Sequence, residues 1–262
     1  MNRFSRQQRE ERRQTKFQTL FETRKREVLG VPASPLRDLP ELLRDLQAIP
    51  HRDWGLYAFA REPLRGRFTL PRQLDLIDGA MACGQEHARR LRRDFPDATP
   101  QEMAEGLGLR LSFPPRPQDG GGRVLFARFT VPDGIEVFAD ATRRAGEALE
   151  GDEALRQVLG DADVRQVLLA HELFHWVEEQ HRDTIFTETT RVDLRLLGLF
   201  PHRSRILCLG EVAAMAFAKE LTGLPYSPYL YDVFLLYLYS PQAACNLAAQ
   251  IKTVLAQGEQ SA

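Results

Sequence analysis

The fold of this chain is organised around residues 167–177, which read Val167-Leu168-Leu169-Ala170-His171-Glu172-Leu173-Phe174-His175-Trp176-Val177. The polar members of this stretch are His171, Glu172 and His175, which form the pattern His-Glu-x-x-His. On an α-helix, positions i and i+4 lie on one face, so both imidazoles project in the same direction. All the other residues are apolar, and buried histidines need polar partners. The stretch therefore predicts a buried helix whose two histidines share a ligand.

The spacing of the two histidines is that of two ligands of one zinc ion. Glu172 follows the first histidine directly, which places its carboxylate near a zinc-bound water rather than near the metal. Zinc lowers the pKa of such a water to about 7, and a carboxylate accepts its proton. The alternative is a pair of core histidines hydrogen-bonded to the backbone. We predict Zn²⁺ as the cofactor, with His171 and His175 as ligands and Glu172 as the catalytic base.

A catalytic zinc has a third protein ligand and keeps its fourth position for water. The candidates downstream of the motif are Glu178, His181, Glu211 and His202. His181 has the spacing of the third histidine in metzincins, but residues 178–180 are good helix formers. A continuing helix carries His181 about 15 Å along the axis from His171. Glu211 is the only charged residue in the apolar run 210–218, so we predict it as the third ligand.

The remaining pattern predicts an α+β protein that is mainly helical. Alternating runs at 109–113, 124–131 and 135–138 predict strands, and Pro132-Asp133-Gly134 predicts a hairpin turn between the last two. Residues 114–122 are rich in Pro and Gly and predict a mobile loop. Helical patterning covers about 34–96 and dominates from about residue 141 to the end. We expect a small twisted β-sheet with a hairpin to pack on the motif helix, beside a second ligand-bearing helix.

The charge pattern divides the chain. Residues 1–27 hold nine basic and four acidic side chains, although the whole chain of 262 residues has a net charge of -1. We predict three regions: a basic N-terminal segment at 1–30, a helical extension at 31–98 and a zincin-like metallopeptidase core at 99–258. The near-neutral total argues against a nucleic-acid-coating protein.

The sequence also carries signals about location. No apolar run is long enough to span a bilayer. The chain begins Met1-Asn2-Arg3-Phe4-Ser5-Arg6 with no apolar stretch behind it, so we expect neither a membrane span nor a secretory signal. Its three cysteines lie far apart without a Cys-x-x-Cys pattern. We therefore expect a cytoplasmic protein; the oligomeric state stays open.

Residues 99–226 resemble the ImmA/IrrE-type zinc metallopeptidases, a minimal branch of the gluzincins. The resemblance rests on the order of a short helix ending in Gly108, a hairpin, the Ala170-His171-Glu172-Leu173 helix and a segment that begins at Glu211. Met215 stands where that family usually has Asn. By position, the resemblance implies that His171, His175 and Glu211 bind zinc, with Glu172 as the general base. It implies a peptidase and does not identify the substrate.

Three functions are compatible with these residues. The leading hypothesis is a zinc-dependent endopeptidase acting on a protein substrate, which could be a regulatory protein. The alternatives are a zinc-bearing interaction module without turnover, and a nucleic-acid-binding protein that uses residues 1–27. The candidates for stabilising the oxyanion are Tyr226, Tyr229, Tyr231 and His202, each of which could equally be packed in the core.

Overall fold

The fold was analysed in a computed structural model of the chain, which describes residues 23–24, 34–115, 123–196 and 200–260. The predicted basic segment at 1–30 therefore lies outside the described residues except for Thr23–Arg24, and most of the predicted loop at 114–122 also lies outside them. For residues 23–24, 123–124, 194–196, 200–202 and 259–260 the backbone alone is described.

The described elements are predominantly helices. The helices are α1 (Leu39–Gln47), α2 (Trp54–Ala60), a 3-10 turn (Arg65–Arg67), α3 (Leu70–Asp94), α4 (Pro100–Gly106), α5 (Ala139–Gly151), α6 (Glu153–Leu159), α7 (Val164–Gln180), α8 (Phe186–Thr189), α9 (Cys208–Thr222), α10 (Leu230–Tyr237) and α11 (Pro241–Gln260). The strands are β1 (Thr23–Arg24), β2 (Arg110–Ser112), β3 (Arg123–Val124), β4 (Ala127–Thr130), β5 (Gly134–Val137), β6 (Arg191–Leu196) and β7 (Phe200–Arg205). This composition confirms an α+β fold that is mainly helical.

Local sequence signals explain how the sheet region begins. Helix α4 starts with a capping box, in which the Thr99 side chain accepts the N–H of Glu102 and the Glu102 carboxylate accepts the N–H of Thr99. Gly108 follows the helix with φ +77°, a left-handed conformation that glycine reaches without strain. The chain then enters β2 directly, so the cap and the glycine together fix this helix–strand transition.

A three-stranded sheet in the order β2-β5-β4 forms the β part of the core. Strand β5 pairs parallel with β2 and antiparallel with β4. The turn that contains Pro132, Asp133 and Gly134 joins β4 to β5, which confirms the predicted hairpin. Strands β4 and β5 both contact the motif helix α7, so the small sheet lies against the helix that carries His171 and His175.

Helices α3 and α7 both pack on α9, the helix that carries Glu211. Gly84 of α3 allows a close approach, because a Cβ at this position would lie 2.1 Å from the carbonyl oxygen of Ala213. The predicted extension at 31–98 thus supplies a helix that packs on the region containing Glu211. The predicted division into 31–98 and 99–258 stays a prediction.

One part of the secondary-structure prediction was wrong. Helical patterning was expected to dominate from about residue 141 to the end and no strand was predicted there, but β6 and β7 form an antiparallel hairpin within that range. The sequence of β6, Arg-Val-Asp-Leu-Arg-Leu, alternates polar and apolar residues with the period of a strand. Within the part of the chain that the structure describes, no helix is both long enough and apolar enough to cross a membrane.

Candidate metal centre

The motif helix α7 is buried along most of its length. Its first turn is capped by Asp163, whose side chain accepts the backbone N–H of Arg165 at 2.8 Å. It continues to Gln180, as the helix-forming residues after the motif predict. His171 and His175 are 2% and 3% exposed. The helix therefore holds both imidazoles inside the protein, on one face.

Glu211 lies in the first turn of α9, which crosses the motif helix. The helix starts at Cys208, whose backbone N–H donates to the Glu62 carboxylate at 3.1 Å. Glu62 is itself buried and satisfies a helix donor that has no partner within the helix. The start of α9 is thus fixed by a residue from the N-terminal helical region, and this contact sets the position of Glu211.

The side chains of His171, His175 and Glu211 come together as the sequence predicts, with ligand atoms that all lie within 4.8 Å of one another. The Nε2 atoms of the two histidines are 3.2 Å apart. The Glu211 carboxylate lies 3.3 Å from Nε2 of His171 and 3.7 Å from Nε2 of His175. A tetrahedral ion with bonds of about 2.0–2.2 Å spaces its ligand atoms by roughly 3.3–3.6 Å. The three side chains could therefore hold a metal ion without rearrangement of the backbone.

The electrostatics of the group favour a bound cation. Burial opposes ionisation of Glu211, but the His171 hydrogen bond and the charges of His175 and Arg61 outweigh it and lower the pKa of Glu211. Burial likewise opposes a charge on His175, yet the surrounding carboxylates raise the pKa of its imidazole to about 9. A net negative environment inside the protein is one that a cation neutralises.

Glu172 lies beside this group and also contacts the sheet. Its carboxylate accepts a hydrogen bond from the backbone N–H of Phe129 in β4, and burial raises the pKa of Glu172. A raised pKa makes the carboxylate a better acceptor for a proton from water. The structure therefore places the predicted base next to His171, His175 and Glu211, at the edge of the sheet.

The other candidates for the third metal ligand are Glu178, His181 and His202, and none of them belongs to the described ligand group. His181 follows the last residue of α7, and its ring contacts His87 of α3 with 5.1 Å between ring centroids. Glu178 approaches Nδ1 of His175, on the opposite side of the ring from Nε2. His202 lies in β7, and its side chain is outside the described part of the chain. Among the described residues, the ligand group thus contains Glu211 as its single carboxylate.

The tyrosine candidates differ in their surroundings. The Tyr226 hydroxyl donates to the carbonyl oxygen of Leu159 at 2.7 Å and lies 2.9 Å from the Tyr231 hydroxyl. Tyr229 stacks on Trp54 with 5.7 Å between ring centroids. Burial, followed by the charges of Glu211 and Asp232, raises the pKa of Tyr229 well above its usual range. The core packing of all three rings matches the simpler interpretation of the sequence, and Tyr229 is the one whose pKa responds to the charge of Glu211.

Sequence reasoning missed the contribution of the region before residue 99. Arg61 helps to keep Glu211 ionised, and its guanidinium lies 4.4 Å from the Tyr57 ring centroid. Glu62 holds the first amide of α9. No spacing signal could reveal these residues, because they meet α9 across more than a hundred positions of sequence.

No protein-family model, no curated protein and no solved structure matches this chain. The class of site is accordingly defined by its own geometry: a buried group of two histidines and one glutamate, with a second glutamate beside it.

Proposed function

We propose that this protein is a zinc-dependent metallopeptidase of the gluzincin type, which hydrolyses a peptide bond in a protein substrate. The observation that carries the proposal is the convergence of His171, His175 and Glu211 on one point, with Glu172 beside them. Two histidines from a His-Glu-x-x-His helix and one carboxylate from a second helix are a donor set suited to catalytic zinc. The resemblance to ImmA/IrrE-type peptidases supports the same conclusion.

In this proposal each residue has a separate task. His171, His175 and Glu211 hold the ion through two nitrogen atoms and one carboxylate. Bound zinc polarises a carbonyl group and lowers the pKa of water to about 7. Glu172 accepts the proton of the attacking water on its carboxylate and passes it to the nitrogen of the leaving amine. The burial that raises the pKa of Glu172 suits it to both transfers.

A peptide substrate would bind along β4. This strand is at the outside of the sheet order β2-β5-β4. Phe138 donates its N–H to the carbonyl oxygen of Phe126, so these two residues form a hydrogen-bonded pair at the end of the β4–β5 ladder. Hydrogen-bonded and non-hydrogen-bonded pairs alternate along an antiparallel ladder, and Phe129, in β4, is three positions after Phe126. The backbone N–H and C=O of Phe129 therefore point away from β5. The N–H of Phe129 indeed reaches Glu172. An extended peptide that pairs with this edge would bring a scissile bond close to the base.

A second candidate is favoured by the burial of the site. His171, Glu172, His175 and Glu211 are all between 2% and 6% exposed. A closed group of this kind suits a zinc-bearing protein-interaction module without turnover, in which the metal stabilises the fold. The presence of Glu172 favours the peptidase, because a purely structural site has no use for a base.

Metal analysis is the first test. We expect close to one zinc per chain after purification without added metal, and a thermal unfolding temperature that falls on chelation and recovers with zinc. Iron in place of zinc would point to the redox chemistry that two histidines and one carboxylate also support. A chain that takes up no transition metal after reconstitution would refute both candidates.

Turnover is the second test, and it separates the two candidates. The wild type and Glu172→Gln, both loaded with zinc, are incubated with a complex peptide library, and new peptide ends are identified by mass spectrometry. The amide of Gln cannot accept the water proton, so cleavage should fall by about 10²–10⁴-fold while zinc content is unchanged. Identical peptide ends and rates for the two proteins would show that another residue is the base. No cleavage by zinc-loaded wild type would favour the interaction module.

We place this activity in the cytoplasm. All three cysteines are free and buried, as in proteins of a reducing compartment. The proposed partner is a protein or peptide, and the substrate could be a regulatory protein.

A further inference from the structure

A third carboxylate, besides those of Glu211 and Glu172, lies against the candidate metal centre and has no task in the chemistry described above. Glu178 is on α7, three residues after His175, and is 1% exposed. Its Oε2 lies 3.6 Å from Nδ1 of His175, the ring nitrogen that does not face Glu211. A buried carboxylate is costly unless it is paired, so its partners indicate what it does.

Two further contacts hold the Glu178 carboxylate in place. The Thr187 hydroxyl, on α8, donates a hydrogen bond to its Oε1. Gly210, directly before Glu211, leaves the space that the carboxylate occupies, because a Cβ at Gly210 would lie 2.9 Å from Oε1. Glu178 thus lies where α7, α8 and the first turn of α9 meet. Its carboxylate is held by Thr187 and Gly210, neither of which is a proposed metal ligand.

We infer that Glu178 is a positioning residue of the metal centre, which holds His175 with its proton on Nδ1 and so leaves Nε2 free as a metal ligand. A neutral imidazole carries one proton, and the partner of one nitrogen decides which nitrogen can bind a metal. A carboxylate at Nδ1 favours the tautomer that has Nε2 unprotonated, and it also fixes the plane of the ring. The 3.6 Å separation is longer than a charge-assisted hydrogen bond of about 2.7–2.9 Å, so the two atoms approach each other in this structure without forming a full hydrogen bond.

This inference rests on the metal centre proposed above and adds a residue to it. The sequence placed Glu178 among the possible ligands, because it follows the motif at a position where a third ligand could be sought. The contact with Nδ1 instead of Nε2 changes that role: Glu178 acts on the metal through His175. Thr187 donates a hydrogen bond to the Glu178 carboxylate, and Gly210 leaves room for it.

The test compares zinc affinity in four variants by competition with a chromophoric chelator. Glu178→Ala removes the acceptor, and partners of this kind are typically worth 10–100-fold in metal affinity. Glu178→Gln should be weakened less, because its amide oxygen can accept the Nδ1 proton while the Thr187 hydroxyl accepts from its NH₂ group. Thr187→Val leaves the carboxylate without its hydroxyl donor and should show a smaller loss than Glu178→Ala.

Glu179→Ala is the matched control. Glu179 is the next residue on the same helix, and its carboxylate pairs with Arg182 instead of His175. Its zinc affinity should equal that of the wild type. If Glu178→Ala does not fold, Glu178→Gln and Thr187→Val carry the comparison. A folded Glu178→Ala with the zinc affinity of Glu179→Ala would overturn the inference and leave Glu178 as a structural tie between helices.

A second readout does not depend on the metal. In metal-free protein labelled with ¹⁵N-histidine, at a pH above the His175 pKa of about 9, the ring is neutral. The nitrogen shifts of His175 should then show the proton on Nδ1, and Glu178→Gln should change those shifts while Glu179→Ala should not. If the wild type binds no zinc, the proposed metal centre fails, and these shifts still decide the role of Glu178. Nitrogen shifts of His175 that are the same in wild type and Glu178→Gln would refute it.

Discussion

Gly84 is the point at which α3 approaches the backbone of α9, the helix that carries Glu211. A Cβ added here would lie 2.1 Å from the carbonyl oxygen of Ala213 and 3.0 Å from the backbone nitrogen of Phe217. Both atoms belong to a helix backbone, so neither can rotate away as a side chain would. Gly84→Ala must therefore push the two helices apart, and Ala213 is only two residues beyond Glu211.

The expected size of the effect follows from two opposing contributions. Replacing a glycine by alanine inside a helix favours the helix by about 1 kcal/mol. Overpacking in a core costs about 1–3 kcal/mol, and contact with rigid backbone belongs at the upper end of that range. We expect a net loss of about 2 kcal/mol in the free energy of unfolding of Gly84→Ala. For a chain of this size that corresponds to a decrease of about 4–8 °C in Tm.

Gly146→Ala is the control for the intrinsic preference of alanine for helices. Gly146 is also inside a helix, α5, and a Cβ there would meet nothing within 4 Å. Its Tm should rise by about 2–4 °C. Both proteins are measured by thermal and urea unfolding, and zinc affinity should fall in Gly84→Ala alone, because Glu211 moves with α9. A Gly84→Ala protein as stable as Gly146→Ala would refute the close contact and the position of α9 derived from it.

Three further predictions concern the ligands, a surface ion-pair network and a helix cap. Glu211→Ala should lose most of its zinc affinity, whereas His181→Ala should keep the zinc content of the wild type, as measured by elemental analysis. The reverse result would show that His181 is the third ligand, as in a metzincin. Burial opposes ionisation of Asp140, but hydrogen bonds from two arginines and a tyrosine outweigh it and lower the pKa of this carboxyl to about 2. Ionised Asp140 therefore stabilises the fold fully above pH 3.8, the pKa in the unfolded chain, and this stabilisation is lost as the pH falls through 2. Asp140→Asn should cost about 1 kcal/mol at pH 7 and little near pH 2 in urea titrations, and an equal cost at both pH values would exclude the charge as the cause. Thr99→Ala removes the cap of α4 and should lower the free energy of unfolding by about 1 kcal/mol, and an unchanged urea midpoint would show that the cap contributes nothing.

Local patterns predicted the parts of the fold that depend on neighbouring residues. The apolar run around His171 predicted a buried helix, since its period and composition are properties of a single segment. Thr99, with Glu102 three residues later, forms the capping box, and the Pro-Asp-Gly turn forms the hairpin. The same reasoning missed strands β6 and β7, because the alternating pattern of residues 191–196 lies between two helical segments.

The sequence by itself identified which residues form the candidate metal site. His171 and His175 share one helix face because of their spacing, Glu172 adjoins them, and the isolation of Glu211 in an apolar helix marked it as their partner. These inferences needed only helix geometry and the cost of burying a charge. The zinc and the peptidase activity predicted from them stay proposals to be tested.

Only the tertiary structure decided what surrounds those residues. The Glu62 carboxylate accepts the backbone N–H of Cys208, which is 146 positions later in the sequence, at the start of α9. Gly84 allows α3 to pack closely against the backbone of the same helix. Glu178, which the sequence could place only as a possible ligand, turned out to face Nδ1 of His175. The physical reason is that such contacts depend on how whole helices pack. A local pattern fixes which face a side chain is on, whereas the residue that meets this face is set by the fold of the entire chain.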